Sequence, residues 1–364
     1  MRSYLISNYG FGNYQYFAFL KTVILYNTII GCIGLLPQVL HWNDYPMSLN
    51  SIVITSYFVS EKLYLLISAI LQTFIIIIAG INARYDRHQV YPELARKQTL
   101  IDNIPRKHLT DQFKKFKRFI SSIVFGCIVS AVFAVSFIIG TINKNFISAG
   151  VDVFNNPEIV LLAAFVALVQ LQSRSICFLL TSFEEHKTWS SFRRQYFIKL
   201  LVLKSLSTLA SYVGLTFVSL TGSNSIQCSL PNYAWILVVF SYTIKYLSLF
   251  LNFALNKYEI GVQPEFDLAD EYADTIHKSF IAFSCFFGFP TIGLLVAAVA
   301  IFHYFLLIVC LKYIFKPPVR PTQSLMPIVD TCFAYTCWLS LISSRLAFCP
   351  AVVEVFLNNE CLNN

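Results

Sequence analysis

Apolar runs, most of them about twenty residues or longer, follow one another along nearly the whole chain, and a run of that length is what an α-helix needs to cross the hydrocarbon of a bilayer. They fall at about 16–40, 59–81, 119–142, 158–183, 195–220, 233–256, 275–289, 293–315 and 325–348, nine in all. Hydrocarbon offers backbone amides no partner, so such runs satisfy their hydrogen bonds internally, as helices. The expected fold class is therefore all-α: a polytopic transmembrane helical bundle, with residues 1–364 forming a single transmembrane domain. Composition agrees. The chain is 56% hydrophobic and 13% charged, which excludes an ordinary soluble domain.

Charge then orients the bundle. The stretch Asn82 to Arg118 holds ten Lys or Arg, the mark of a cytoplasmic loop under the positive-inside rule. Alternation places 184–194, 257–274 and 316–324 on the same side, the N-terminus inside and the C-terminus outside. The net charge of +8 thus speaks of topology rather than of nucleic acid. Leu109, Phe113 and Phe116, with lysines between them, predict an amphipathic helix lying on the inner membrane face. The 257–274 loop is acidic, unlike the other inner segments, and Lys316 to Pro321 is a stiff basic linker, because proline fixes φ.

Three cations stand where lipid would punish them. Arg174, Lys204 and Lys245 interrupt the fourth, fifth and sixth runs, and no acid lies within those runs close to them. Each belongs to a stripe at helical spacing: Gln170, Arg174, Cys177, Thr181; then Lys204, Thr208, Ser211; then Ser241, Lys245, Ser248, Asn252. At about 3.6 residues per turn these are single polar faces on apolar helices. Small polar residues alone would serve helix packing, but a charge near the bilayer centre usually faces a bundle interior or a wet cavity. Counted from the inner ends at about 1.5 Å per residue, the three cations sit near one depth. They predict a hydrated groove with a positive midpoint, lined by Gln170, Arg174, Thr181, Lys204, Thr208, Ser211, Ser241, Lys245 and Asn252. The rival reading has the lysines bonding backbone carbonyls in a dry bundle. Lys199, near a helix end, is expected to snorkel, and Asp330 is the acid in the ninth run that could neutralise a lysine.

Little in the chain speaks for catalysis. His303 stands as a lone histidine in an apolar run, without the neighbouring carboxylate or nucleophile that acid–base or covalent chemistry needs, and a histidine so placed is more often a satisfied core residue than a catalyst. The ten cysteines are scattered, without CxxC or zinc spacing, so neither a metal site nor a cofactor is expected. Cys349 and Cys361 fall on the predicted outer side and are expected to pair with each other or with Cys228.

Several motifs carry a resemblance. Tyr16-Phe17-Ala18-Phe19-Leu20-Lys21, running through Asn27 to Leu36-Pro37, is similar to the opening pattern of the transmembrane channel-like (TMC) family, within the anoctamin and OSCA superfamily. The elbow Phe183-Glu184-Glu185-His186, with Lys199 after it, is similar to that family's acidic turn. Glu265-Phe266-Asp267, then Phe286-Phe287-Gly288-Phe289-Pro290, then Pro317-Pro318-Val319-Arg320 through Ser324 resemble its Glu-Phe-Asp, aromatic-proline and Pro-x-x-Arg…Ser segments at nearly the family spacing. Cys228 sits where the family has Cys-Trp-Glu, but Ser229-Leu230 follow it here. Lys204 and Lys245 occupy spans where the family places acids, and the resemblance stops short of the family's last span.

The resemblance implies a groove built by the fourth to eighth spans that conducts ions under membrane tension, in the plasma membrane. The alternatives are a lipid scramblase of the same superfamily, a non-conducting auxiliary subunit, or a sensory receptor. The partners implied are membrane lipids, permeant ions, and a second copy of the chain or auxiliary subunits, with no nucleic acid.

Overall fold

The computed structural model describes residues 11–40, 62–85, 111–142, 157–186, 188–222, 230–257, 266–286, 291–315 and 325–358. Among them the chain forms nine α-helices: α1 (Phe11–Leu40), α2 (Lys62–Tyr85), α3 (Asp111–Ile142), α4 (Pro157–Phe183), α5 (Trp189–Gly222), α6 (Leu230–Lys257), α7 (Leu268–Cys285), α8 (Ile292–Tyr313) and α9 (Met326–Asn358). The described residues contain no strand. Among the described residues, five stretches are long and apolar enough to cross a membrane: Gly12–Leu36, Gln112–Ile139, Ala163–Phe183, Ile292–Tyr313 and Met326–Ser344. The described apolar parts of α2 and α6 include Ile67–Ala83 and Ile236–Ser248. Helices α5 and α7 are not among the five. Charged side chains of both, Lys204 on α5 and Asp270, Glu271 and Asp274 on α7, build the site described below.

Many large apolar side chains lie on the described outer surface. Phe74, Phe119, Leu179, Leu247 and Phe305 all stand exposed, an arrangement that would drive a water-soluble monomer to associate. In lipid it has no such cost, since hydrocarbon solvates these groups as well as a core does. The molecule is an all-α helical bundle and an integral membrane protein.

Helix α7 is the central post. It packs against α1, α5, α6, α8 and α9, and most of its side chains are buried. Its start is set chemically. Asp267 is the N-cap, and its Oδ1 accepts the amides of Ala269 at 3.1 Å and Asp270 at 3.4 Å. Asp270 and Glu271 then lie in the first turn, where the helix dipole favours negative charge. The helix therefore begins seven residues before the expected span at 275. Of the acidic stretch expected at 257–274 as a cytoplasmic loop, the part from Asp267 onward enters the bundle instead.

Two other expectations are corrected. The lysine-rich segment around Phe113 and Phe116 is not a separate surface helix, because α3 runs unbroken from Asp111 to Ile142. No glycine or proline occurs between Asp111 and Phe125 to end it, so the cationic turns simply extend the apolar helix. The charged elbow is also shorter than 184–194: α5 starts at Trp189 and carries Arg193 and Arg194.

Around α7 the helices meet through specific contacts. Tyr16 of α1 packs edge-on against Tyr272, with ring centroids 5.0 Å apart. The ring of Phe19 lies 5.4 Å from Tyr272 and 5.6 Å from Phe333 of α9. Where α1 crosses α8, the two backbones touch. A β-carbon on Gly293 would lie 2.5 Å from the Asn27 carbonyl oxygen and 2.7 Å from the Gly31 nitrogen. One on Gly31 would collide with the amide of Leu294. Such close approach is the membrane use of small residues. On the other flank, α2 is tied to α1 by the Gln72 amide donating to the Ile30 carbonyl at 2.9 Å.

Of the cysteines expected to pair, Cys228 and Cys361 lie outside the described residues, and only the backbone of Cys349, in α9, is described.

Candidate functional site, a buried ionic cluster

The cations read from the sequence meet carboxylates supplied by α7. Lys204 of α5, only 3% exposed, donates to Asp270 at 2.7 Å and to Asp274. Lys245 of α6 donates to Glu271 at 2.8 Å and to the other oxygen of Asp274 at 2.7 Å. Lys278, one turn further along α7, lies 4.0 Å from the same Asp274 carboxylate. Three ammonium groups thus face three carboxylates in one continuous cluster, with Asp274 shared among them. The predicted positive midpoint is corrected: the charge of Lys204 and Lys245 is matched by α7, not left to anions, backbone carbonyls or Asp330. Desolvating such ions is expensive, and close opposite charges with further hydrogen bonds are what make it tolerable.

Helical geometry brings these groups together. Asp270, Asp274 and Lys278 recur at a step of four, so they share one face of α7. Lys204 with Thr208, and Lys245 with Ser248, form the facing stripes on α5 and α6. His303 of α8 joins from the third side. Its Nε2 lies 3.0 Å from Glu271 and 3.2 Å from the Tyr16 hydroxyl, and its Nδ1 lies 2.9 Å from the Tyr246 hydroxyl. A carboxylate only accepts, so Nε2 carries the proton given to Glu271; in the neutral ring Nδ1 then accepts from Tyr246. His303 is thus a satisfied core histidine, as expected, but it does have a carboxylate beside it, supplied by another helix.

The remaining predicted residues divide. Gln170 of α4 reaches His277 of α7 and Thr208 of α5, each at 3.5 Å, and Thr208 lies 2.8 Å from His277. These three form a polar bridge beside the ionic cluster. Thr181 and Ser211 are fully buried and donate to carbonyls of their own helices, Cys177 at 2.7 Å and Ser207 at 3.1 Å. Arg174 stands apart, with its side chain 50% exposed and its Nε 3.6 Å from Asp267. The side chains of Ser241 and Asn252 lie outside the described residues. What the sequence did not place at the site is the whole α7 contribution (Asp270, Glu271, Asp274, His277 and Lys278) together with Tyr16 and Tyr246.

A second ionic group closes the elbow between α4 and α5, just beyond the span that ends at Phe183. Glu185 adopts φ 51°, a left-handed conformation that ends α4, and its carboxylate accepts from Lys117 of α3 at 2.5 Å. Glu184 accepts from Lys199 and, at 2.8 Å, from Nε2 of His186. Lys199 is therefore buried against an acid and does not snorkel. Burial opposes ionisation of Glu184, but the hydrogen bonds from His186, Lys199 and Ser121, with the lysine charge, outweigh it. The carboxyl is pushed down from an ordinary 4.5 to about 2.

A carboxylate with a depressed pKa stabilises the fold above its ordinary value, and that contribution fades as the pH falls from 4.5 towards about 2. Glu184→Gln is accordingly expected to cost about 1.5–3 kcal/mol near neutral pH. The gap to the parent should narrow below pH 4.5, as seen in thermal midpoints of the purified protein across pH. A gap that stays constant over that range would assign the loss to packing alone.

Fold and site together define a class: a multi-pass helical membrane protein whose central helix carries a buried, charge-balanced ionic cluster. No protein-family model matches the chain, and no curated protein matches it significantly.

Proposed function

We propose that the chain is an ion channel of the transmembrane channel-like family, opened by membrane tension, with its ion path on the polar faces of α4, α5, α6 and α7. The observation that carries this reading is the cluster itself. Ionisable side chains inside a membrane bundle are costly, and they mark ion or substrate pathways more often than packing. Lys245, Asp270 and Asp274 keep some exposure, each side chain being 14–15% accessible, so the cluster is not sealed inside the bundle. In this reading the cluster transports rather than catalyses, and opening separates α7 from α5 and α6 far enough for ions to replace protein counter-charges.

A second reading has its own support. Lys204, Lys245 and Arg174 each have a protein carboxylate nearby, which suits a non-conducting auxiliary subunit held in register by ion pairs. The motif resemblance also keeps lipid scrambling open. One preparation separates the three. Purified protein in proteoliposomes is expected to pass current under stretch, and Arg174→Gln, which removes one cation beside Asp267, is expected to move the reversal potential towards cation selectivity. Flipping of fluorescent lipid without current would assign a scramblase. Neither activity over the full tension range would leave the auxiliary subunit.

A further inference from the structure

The first span carries a cation that the ionic cluster does not use. Lys21 of α1 lies nine residues inside the stretch Gly12–Leu36, and its side chain is exposed on the outer surface of the bundle. Its ammonium sits over the ring of Tyr304 of α8, 5.6 Å from the centroid. Tyr304 in turn lies nine residues before the end of the span Ile292–Tyr313. Gly31 meets Gly293 and Phe17 meets Tyr304, so α1 and α8 are antiparallel and both counts start from one side of the membrane. At about 1.5 Å per residue they agree on a depth of about 13 Å, near the middle of a hydrocarbon core about 30 Å thick.

A charge at that depth normally faces the bundle interior. Lys21 faces outward. Among the described residues it pairs with no carboxylate, and the Tyr304 ring is its contact. An aromatic face offsets only part of the cost of a charge in hydrocarbon. Nor does the stem carry the ammonium back to the interface, since the ring it covers is equally deep. The counter-charge must therefore come from outside this bundle, at the same depth. A lipid phosphate lies at the headgroup level, roughly 13 Å away along the membrane normal. A second copy of the chain would bring the described acids Asp270, Glu271, Asp274 and Asp330, none of which is exposed. A carboxylate on a membrane-spanning helix of another protein meets both conditions.

The surface around Lys21 suits such a helix. Ala18, Lys21, Thr22 and Leu25 recur at i, i+3, i+4 and i+7 and are all exposed, so they form one outward stripe. Ala18 and Thr22 beside the lysine are small, and Thr22 folds its hydroxyl back onto the Ala18 carbonyl at 3.2 Å. Small residues let a neighbouring backbone approach closely, here within reach of the ammonium. We propose that this stripe docks a transmembrane helix of a second protein, one with an aspartate or glutamate near its midpoint that pairs with Lys21. The docking does not depend on whether the protein conducts.

The test uses the full chain in phosphatidylcholine proteoliposomes, with energy transfer to a labelled peptide, a single leucine-rich transmembrane helix carrying one aspartate at its midpoint. The same peptide with leucine at that position is the control. The parent is expected to bind the aspartate peptide at least about tenfold more tightly than the control. Lys21→Met is expected to remove that preference, and Lys21→Arg to keep most of it. Ala18→Phe crowds the stripe but leaves the ammonium, and it is expected to weaken the aspartate peptide by a similar factor. This variant covers the case in which Lys21→Met fails to fold. Equal affinity of the parent for both peptides, or an unchanged preference in a folded Lys21→Met or Ala18→Phe protein, would overturn the site. Displacement of the aspartate peptide on exchanging phosphatidylcholine for phosphatidylserine would assign Lys21 to a lipid headgroup and overturn the helix partner.

Discussion

Lys204→Met is expected to destabilise the protein by about 3–5 kcal/mol, the range found when one partner of a buried ion pair is removed. The ammonium sits between Asp270 and Asp274 and is almost wholly buried. Methionine keeps much of the side-chain volume, so the loss is electrostatic: Asp270 stays in a low-dielectric site without the charge that offset its desolvation. Asp274 keeps Lys245 at 2.7 Å and suffers less. Neutralising the stranded acid in the double variant Lys204→Met/Asp270→Asn is therefore expected to restore most of the loss, a coupling that two independent sites would not show. Arg174→Met is the contrast. That side chain is half exposed and its contact is 3.6 Å long, so its loss is expected to cost less than about 1 kcal/mol. Thermal midpoints of the four purified proteins decide the matter. A Lys204→Met protein as stable as the parent would mean that the cluster does not form.

The same cluster shows what was legible in the chain and what was not. Run length and apolar character located the helices, because a bilayer-spanning segment needs both and few other structures have them. The cationic stripes on α4, α5 and α6 were legible by their spacing, but their partners were missed. In the sequence Asp270, Glu271 and Asp274 read as part of a solvated inner loop, because clustered charge ordinarily means exposure. The contrary signal was present: Asp267 followed by Asp270 and Glu271 is the pattern of a helix N-terminus, and Asp270, Asp274 and Lys278 keep a step of four. Three intramembrane cations also require counter-charge from somewhere, and α7 carries the nearest acidic stripe at helical spacing. His303 reads in the sequence as a satisfied core residue, and it is one, but the identity of its partners is not legible there. Its partners Tyr16, Tyr246 and Glu271 come from three different helices, and one-dimensional spacing carries no sign of them.

The second large effect is expected at the crossing of α1 and α8. Gly293→Val places a branched side chain where even a single β-carbon would lie 2.5 Å from the Asn27 carbonyl oxygen and 2.7 Å from the Gly31 nitrogen. Both obstacles are backbone atoms within a helix, so neither can rotate away, and the helices must separate. Overpacking a core costs about 1–3 kcal/mol when side chains can adjust; here the cost is expected at or above the upper end of that range. Separation also reaches the ionic cluster. His303 lies ten residues further along α8, about 15 Å at the helical rise, and it joins Tyr16 of α1 to Glu271 of α7. Shifting α8 loosens that join, so Gly293→Val and His303→Phe are expected to combine less than additively. Gly126 provides the opposite sign within the same protein. A β-carbon there would meet nothing within 4 Å, and alanine is the better helix former, so Gly126→Ala is expected to stabilise by about 0.5–1 kcal/mol. Thermal midpoints that fall for Gly293→Val and rise for Gly126→Ala fit a direct backbone contact between α1 and α8, whereas an unchanged midpoint for Gly293→Val is incompatible with it.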